Sequence, residues 1–256
     1  MKMVTLKKLL LVFFLPVLVS RGAFALSEPE KMVYIFGFGS LMSTPARTAT
    51  EPDPKGSVYI PVKVKGYTRD WQLWMPRSQQ RSLELEQALG GYVNGLIFAV
   101  KKSELPKFDR REGPAYQRKQ LPADHIIFYR EEDRSKVMGA RGDMEVYAYF
   151  PDKSSSYYVG RGDDTKKIAM SYLKVVLTGC IEVDQKNNLG GKFTDDCAAT
   201  MGLADYKIED DTKAPRYSRF PPTLLKEAKI REQQMDKYIS SDWPNYLEAV
   251  RKKWGF

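Results

Sequence analysis

Histidine is almost absent from this chain, which has one in 256 residues, and cysteine occurs only twice. A Ser-His-Asp or Cys-His catalytic arrangement would have to use His125, and nothing in its strand-like context, DHIIFY, marks it as catalytic. A zinc site of the usual His and Cys type lacks enough ligands. We therefore predict that His125 is a structural or surface residue and that no metal is bound.

Three common functional motifs are also missing. Ser40 does not lie in G-x-S-x-G, and Met42 stands where the dinucleotide-binding fingerprint starting at Gly37 needs its third glycine. The stretch GGK ending at Lys192 lacks the Ser or Thr that a P-loop requires. The sequence therefore predicts no nucleotide cofactor, and an acid or base for catalysis has to be a carboxylate.

Long apolar runs are confined to the N-terminus. Lys7 and Lys8 precede the run LLLVFFLPVLV, and Ala23-Phe24-Ala25 supplies a small-x-small cleavage site. This pattern is typical of a secretory signal peptide, so we predict cleavage after Ala25 and export to the periplasm or the medium. Arg21 leaves an uncleaved N-terminal anchor as the alternative. No later stretch is apolar enough to predict a membrane span.

The net charge is modest once this segment is set aside. Removing residues 1–25 would remove four positive charges and no negative one, so the formal charge falls from +9 to +5. Basic and acidic residues are interspersed throughout the remainder. A diffuse excess of this kind indicates a solvated surface and not a nucleic-acid partner. The oligomeric state has no signature in the sequence.

The two cysteines, Cys180 and Cys197, fit the predicted export. An even number of cysteines in an oxidising compartment favours a disulfide between them. The bond would close a loop of about 17 residues and contribute roughly 3 kcal/mol to stability. Two separate buried thiols are the alternative.

Hydrophobic periodicity predicts strands first and helices later along the chain. Strands are predicted at 33–36, 59–65, 70–75, 91–100, 116–121, 125–129 and 145–150, and helices at 103–111, 164–178, 223–239 and 243–254. Gly179 is expected to end the second of these helices. This order favours an α+β fold over a doubly wound one. We predict one domain at 26–204 and a helical C-terminal extension at 205–256 that packs on it.

One carboxylate lies in a distinctive context. Glu112, in FDRREGPAYQR, falls at the end of a short predicted helix, directly before the Gly-Pro that stops it. Taken alone, this context favours an ordinary charged residue at the end of a surface helix.

Four stretches, considered together with their order and spacing along the chain, change that interpretation. They are FGFGSL at 36–41, VKGYTRDWQLW at 64–74, GYVNGLIFAV at 91–100 and FDRREGPAYQRKQL at 108–121. Together they resemble the γ-glutamylcyclotransferase superfamily, including its ChaC-type members, over about 34–150. The chain has Phe38 where the family usually has a tyrosine, so it lacks that hydroxyl.

The resemblance implies a mixed, barrel-like sheet flanked by helices. It also implies an enzyme in which the α-amine of a γ-glutamyl compound, such as glutathione, attacks its own side-chain carbonyl and releases 5-oxoproline. Glu112 matches the family's catalytic carboxylate. The loop from Phe38 through Gly39 and Ser40 to Leu41 would bind the γ-glutamyl group through backbone N–H groups.

Two further residues are expected to bind substrate by the same resemblance. Tyr116 would line the site, and Arg69 would be the counter-charge for the substrate carboxylate. Two other functions remain open: a cyclotransferase acting on γ-glutamylamines or isopeptides, and an exported binding module that has the fold without the catalysis.

Overall fold

The computed structural model describes residues 30–50, 59–137, 144–211 and 213–217. The described residues from Lys31 onward lie in one compact unit. Its eight strands are β1 Met32–Gly37, β2 Tyr59–Met75, β3 Gln80–Lys101, β4 Tyr116–Gln120, β5 Ile126–Phe128, β6 Val146–Pro151, β7 Ile168–Ala169 and β8 Ile208–Glu209. Its four α-helices are α1 Thr44–Thr48, α2 Leu105–Glu112, α3 Met170–Lys186 and α4 Lys192–Ala199.

Six strands form one sheet in the order β4-β6-β1-β3-β2-β5. Neighbours in this sheet are antiparallel except β1 and β6, which are parallel, so the sheet is mixed. The predicted α+β class, with a mixed sheet flanked by helices, is confirmed. The sheet is open, with β4 and β5 at its edges, and in that respect it differs from the barrel-like form that was expected.

Strands β2 and β3 form one long hairpin around the turn at residues 76–79. The two separate strands predicted at 59–65 and 70–75 are a single strand, because the chain continues through Gly66 at a register shift, where φ is +81°. Residues 80–90, for which no strand was predicted, form the first half of β3. This half of the hairpin carries several side chains of the site described below.

The central strand β1 is covered on both faces, and this explains its apolar sequence. Val33 and Ile35 pack with Leu105 and Phe108 of α2 on one face. Phe36 belongs to the larger core on the other face, which includes residues of α3. The chain thus leaves β1 at a point that lies between two helices.

Helix α2 is directed toward the end of β1. Lys101, the last residue of β3, pairs with Met32 at the start of β1, and α2 follows after one 3₁₀ turn. Eight helical residues span about 12 Å. The C-terminal end of α2, with Glu112, therefore comes to lie beside the loop that follows β1.

Helix α3 continues through Gly179, contrary to the prediction that this glycine ends the helix. A Cβ at Gly179 would lie 2.7 Å from the backbone nitrogen of Ser43 and 3.0 Å from Cβ of Met42. The glycine is therefore required for close packing between α3 and the chain after β1, and not for a helix stop. Sequence alone does not distinguish these two uses of glycine within a helical pattern.

Cys180 and Cys197 form a disulfide that joins α3 to α4, as predicted. Both residues are fully buried. The bond follows Gly179 directly, so it secures the helix that supports the loop after β1.

Two predictions concern parts of the chain outside the described residues. The signal peptide at 1–25 and the C-terminal helices at 223–239 and 243–254 lie there. The described part of the predicted C-terminal extension contains β8, which pairs in parallel with β7. None of the described helices is long and apolar enough to cross a membrane.

Candidate active site

A cavity of about 330 Å³ opens where β1 ends. This volume suits a small molecule. The walls come from the end of β1 and the loop after it, the end of β2 and the β2–β3 turn, the end of α2, strands β3, β4 and β6, the first turn of α3 and residues 216–217. The residues that line the cavity include Phe38, Gly39, Ser40, Leu41, Arg77, Gln80, Ser82, Arg111, Glu112, Tyr116, Tyr149, Tyr172 and Arg216.

The loop after β1 turns back tightly on itself. A Cβ at Gly37 would lie 2.7 Å from Cβ of Leu41, so only glycine allows this turn. The N–H groups of Gly39, Ser40 and Leu41 donate to no acceptor in the described part of the chain, although Met42 and Ser43 donate back to Gly39 and Ser40. Successive unpaired N–H groups on a cavity wall can bind a carboxylate or a developing oxyanion.

Arg69 supports this loop from within the protein. Its guanidinium donates to the Phe38 carbonyl over 2.8 Å and to Asn94 Oδ1 over 2.9 Å, and it also contacts Thr200 Oγ1 at 2.5 Å. Arg69 is 2% exposed and does not line the cavity. The prediction that Arg69 faces the substrate carboxylate is therefore wrong: its donors are used inside the fold, where a buried guanidinium needs them.

Glu112 is the last residue of α2 and the only acidic side chain among the described residues that line the cavity. Its side chain is 17% exposed. Gly113 follows with φ of +67°, so the helix stops there and the chain turns into β4. The carboxylate is thus held at a helix end, facing a cavity that a ligand can enter.

Arg111 joins this carboxylate to the loop. Arg111 Nε lies 2.9 Å from Glu112 Oε1, and Nη2 donates to Ser40 Oγ over 3.0 Å. Nη1 donates to the Ala46 carbonyl over 2.6 Å and to Thr50 Oγ1 over 2.7 Å. One guanidinium therefore contacts the carboxylate, the loop and the segment that follows it.

Three tyrosines and a serine form a hydroxyl-rich part of the wall. Tyr116 donates to the Leu83 carbonyl over 2.7 Å, and its oxygen lies 3.2 Å from Ser82 Oγ, which is 3.3 Å from the Tyr172 hydroxyl. Burial is the largest cause that raises the pKa of Tyr116 well above its ordinary value, and the nearby Tyr172 and Glu112 add to the shift. Burial likewise raises the pKa of Tyr149 and of Tyr172. These phenols stay protonated at neutral pH, which leaves the carboxylate of Glu112 as the candidate base among the described lining residues.

A second part of the wall is basic. Arg77, in the β2–β3 turn, is exposed and makes no hydrogen bond or ion pair with any other described residue. Arg216 donates to the Gln79 carbonyl over 2.7 Å and pairs with Glu209. Gln80 is 2% exposed, and its Oε1 has no hydrogen-bond partner among the described residues. This wall offers positive charge and an unpaired amide oxygen to a ligand.

The structure brings together Glu112, Tyr116 and the loop 38–41, as the sequence predicted for a common site. Whether they bind a γ-glutamyl group stays a prediction. Sequence analysis missed Arg111, Ser82, Tyr172, Arg77 and Arg216. Arg111 had a signal, since it directly precedes Glu112, but the others come from a strand and from segments without motifs.

No group of three or more His, Cys, Asp or Glu side chains in the described ranges could hold a metal ion. The tyrosines, arginines and single carboxylate of the cavity are suited to proton transfer and to binding anionic groups.

No protein-family model matches this chain, and no curated protein matches it. Among solved structures, its fold is similar to that of an uncharacterised human protein, with 14% identity over 72% of this chain and 97% of that chain and a TM-score of 0.47. It is also similar to a γ-glutamyl cyclotransferase, with 13% identity over 72% of this chain and 96% of that chain and a TM-score of 0.46.

A γ-glutamyl cyclotransferase specific to glutathione, from yeast, is similar as well, with 12% identity over 86% of this chain and 96% of that chain and a TM-score of 0.41. At TM-scores below 0.5 these likenesses carry no argument about activity. The function proposed below therefore rests on the site itself.

Proposed function

We propose that this protein is a γ-glutamylcyclotransferase-like enzyme that converts a γ-glutamyl compound into 5-oxoproline and a free amine or amino acid. The observation that carries the proposal is the pairing of Glu112 with the loop 39–41. The described cavity wall has one carboxylate, and Arg111 bonds that carboxylate and Ser40 at the same time. A base and a row of unpaired N–H groups are what an intramolecular acyl transfer requires.

The reaction needs one proton carrier. The Glu112 carboxylate takes a proton from the α-ammonium of the γ-glutamyl group, which frees the amine as a nucleophile. The amine attacks the γ-carbonyl carbon, a carbon–nitrogen bond closes the five-membered ring, and the carbonyl oxygen becomes an oxyanion. The bond to the leaving nitrogen then breaks as Glu112 returns the proton to that nitrogen and the carbonyl re-forms. The ring nitrogen loses its second proton to the freed Glu112 carboxylate, which passes it to the released amine, so the products are a neutral lactam nitrogen and an ammonium group. Because nucleophile and electrophile belong to one molecule, correct folding of the substrate in the cavity supplies much of the rate.

The loop and the hydroxyls have a binding role in this scheme. The N–H groups of Gly39, Ser40 and Leu41 hold the negatively charged part of the γ-glutamyl group or the oxyanion. The phenols of Tyr116 and Tyr172, protonated at neutral pH, contribute a polar wall without competing for the proton.

The basic part of the wall favours one class of leaving group. Arg77 and Arg216 would attract a carboxylate and repel a protonated amine. A leaving group that is itself an amino acid or peptide therefore fits this cavity better than a polyamine or the side chain of an isopeptide lysine. The alternative of a γ-glutamylamine cyclotransferase is the less favoured of the two.

The test is to incubate the protein with a γ-glutamyl amino acid, glutathione and a γ-glutamylamine and to measure 5-oxoproline. The matched controls are α-glutamyl isomers, whose amine cannot close the same ring onto the scissile carbonyl. We expect 5-oxoproline from the carboxylate-bearing γ-glutamyl compounds only. Binding of these compounds without 5-oxoproline would instead indicate a binding module.

We also propose that the protein is exported. The proposal is supported by the N-terminal pattern of charged, apolar and small residues at 2–25 and by the buried Cys180–Cys197 disulfide, which is typical of oxidising compartments. Mass spectrometry of the protein from its host should find Leu26 as the N-terminal residue. An intact Met1 on protein recovered from the cytoplasm would contradict export.

A further inference from the structure

The guanidinium of Arg111 is fully engaged between three segments of the chain. Its side chain is 4% exposed, and each of its three nitrogens lies within 3.0 Å of at least one oxygen acceptor. The acceptors belong to Glu112, to Ser40 in the loop, to Ala46 in α1 and to Thr50, which lies two residues after that helix. A planar fork with fixed donor directions can satisfy such a set, whereas a lysine ammonium cannot reach all three places at once.

We propose that Arg111 is the positioning residue of the site: it fixes the direction of the Glu112 carboxylate and holds the loop 39–41 against it. This inference rests on the proposed function, since it assigns Arg111 a part in the same reaction. Arg111 itself does not exchange a proton with the substrate. It acts through Glu112 and Ser40.

The pairing of Arg111 with Glu112 is not an ordinary ion pair of a helix surface. Adjacent helical residues point about 100° apart and do not normally face each other. Here the contact is made by Nε, close to the chain, and it occurs at the last residue before the helix ends at Gly113. The terminal fork nitrogens remain available for Ser40 and Ala46.

The charge of Arg111 also suits the position of Glu112. The C-terminal end of a helix carries partial negative charge, which disfavours a carboxylate there. A guanidinium at 2.9 Å offsets this unfavourable interaction. Without Arg111 the carboxylate would be less well oriented and would lack this compensating charge.

Arg110 provides a matched control, because it immediately precedes Arg111 in the same helix and carries the same charge. It is exposed and makes no hydrogen bond or ion pair with other described residues. A substitution at 110 changes net charge by the same amount without touching the cavity. Any effect shared by the two positions is therefore a general charge effect.

The experiment compares Arg111→Ala and Arg110→Ala on the best γ-glutamyl substrate of the wild-type protein. We expect Arg111→Ala to lower kcat by roughly 10- to 100-fold and to change KM much less. Millimolar guanidinium chloride should restore part of the activity of Arg111→Ala, since it returns the missing cation, and should not restore Glu112→Gln. Arg110→Ala should match the wild type in all three measurements.

Arg111→Lys covers the case in which Arg111→Ala does not fold, as judged by near-UV circular dichroism. Lysine keeps the charge and loses the fork. We expect a kcat about 5- to 20-fold below wild type, with KM close to its wild-type value. A purely structural role would not separate kcat from KM in this way.

The possible failures are distinguishable. If folded Arg111 variants keep the kcat and KM of Arg110→Ala while the wild type releases 5-oxoproline, the positioning role is overturned and the proposed function stands. If the wild type releases no 5-oxoproline from any γ-glutamyl compound, the proposed function is overturned and the role of Arg111 with it.

Discussion

Two glutamates, Glu112 at the end of α2 and Glu84 within β3, illustrate different environments for a carboxyl group. Glu112 lines the cavity and is paired with Arg111. Glu84, in the middle of the β2–β3 hairpin, is fully buried, lies opposite Asp70 in the strand register and does not line the cavity. Burial is the largest cause that raises the pKa of Glu84 to about 8, and the negative charges of Glu86 and Asp70 add to it.

The comparison shows that a perturbed carboxyl group is not by itself a catalytic one. Strongly shifted groups are often functional, but only where a ligand can reach them. Asp70, the neighbour of Glu84, is held by Arg161 and by the Trp71 N–H, at 2.9 and 2.8 Å. Asp70 and Glu84 are therefore closed off inside the hairpin, whereas Glu86 beside them is only partly buried and pairs with Lys153. Glu112 has a less unusual environment and the better position for chemistry.

The largest expected effect separates the two glutamates by activity. Glu112→Gln preserves the size of the side chain but removes the base, so turnover of a γ-glutamyl substrate should fall by a factor of roughly 10² to 10⁴. The loss should appear in kcat more than in KM, because the backbone of the loop 39–41 is unchanged. Steady-state release of 5-oxoproline is the measurement.

Two controls sharpen this result. Glu104→Gln removes a carboxylate charge outside the cavity, and Glu84→Gln replaces a buried carboxyl group outside it; both should leave kcat within about threefold of wild type. If Glu84→Gln abolished turnover while Glu112→Gln kept it, the assignment of Glu112 as the base would be wrong, and Glu84 would take that role.

The second prediction concerns stability and pH. Folded Glu84 holds its proton up to about pH 8, whereas in the unfolded chain it loses the proton near 4.5. Between these values the unfolded state binds fewer protons than the folded state, so this residue makes the protein less stable as pH rises. Glu84→Gln removes that dependence. From pH 5 to pH 8, its free energy of unfolding relative to wild type should improve by about 1–3 kcal/mol.

Urea unfolding at the two pH values measures this difference, and Glu104→Gln is again the control. Parallel behaviour of Glu84→Gln and wild type would mean that Glu84 ionises at ordinary pH in the folded protein. In that case burial would not raise the pKa of Glu84, and only its place outside the cavity would distinguish it from Glu112.

The smallest expected effect tests the basic part of the cavity wall. Arg77 is exposed, and an exposed ionic contact contributes up to about 1 kcal/mol. Arg77→Gln should therefore raise KM by roughly 2- to 5-fold for a γ-glutamyl amino acid and leave a γ-glutamylamine unaffected or bound slightly better. Equal changes for both substrates would show that Arg77 does not read the charge of the leaving group.

Local sequence patterns were sufficient for much of the fold near the site. The apolar run of β1, the glycines after it, the helix ending at Glu112 and the pair Cys180 and Cys197 all carry short-range signals. The stretch 80–90 also alternates, as in SLELE, so this half of β3 carried a local strand signal that the prediction overlooked. What the pattern does not indicate is that the polar side of this alternation is buried as well, with Glu84 fully enclosed.

The remaining errors have a common cause, which is packing between distant segments. Gly179 is needed because α3 touches Met42 and Ser43, more than 130 residues earlier. Arg69 donates to Phe38 and Asn94 and not to a ligand. Nothing within a few residues of either position indicates these partners, so no local pattern predicts them.

The long hairpin also has a consequence for the order in which the protein folds. Strands β2 and β3 are joined by four residues and pair locally, whereas the bond between Arg111 and Ser40 spans 71 positions and the cavity draws on residues from 36 to 217. Contacts between residues close in sequence form with a small loss of chain entropy, whereas contacts between distant residues lose more entropy and form later. A refolding chain should therefore gain β-structure before it gains activity. A ligand of the cavity would select the completely folded molecules and stabilise them by mass action.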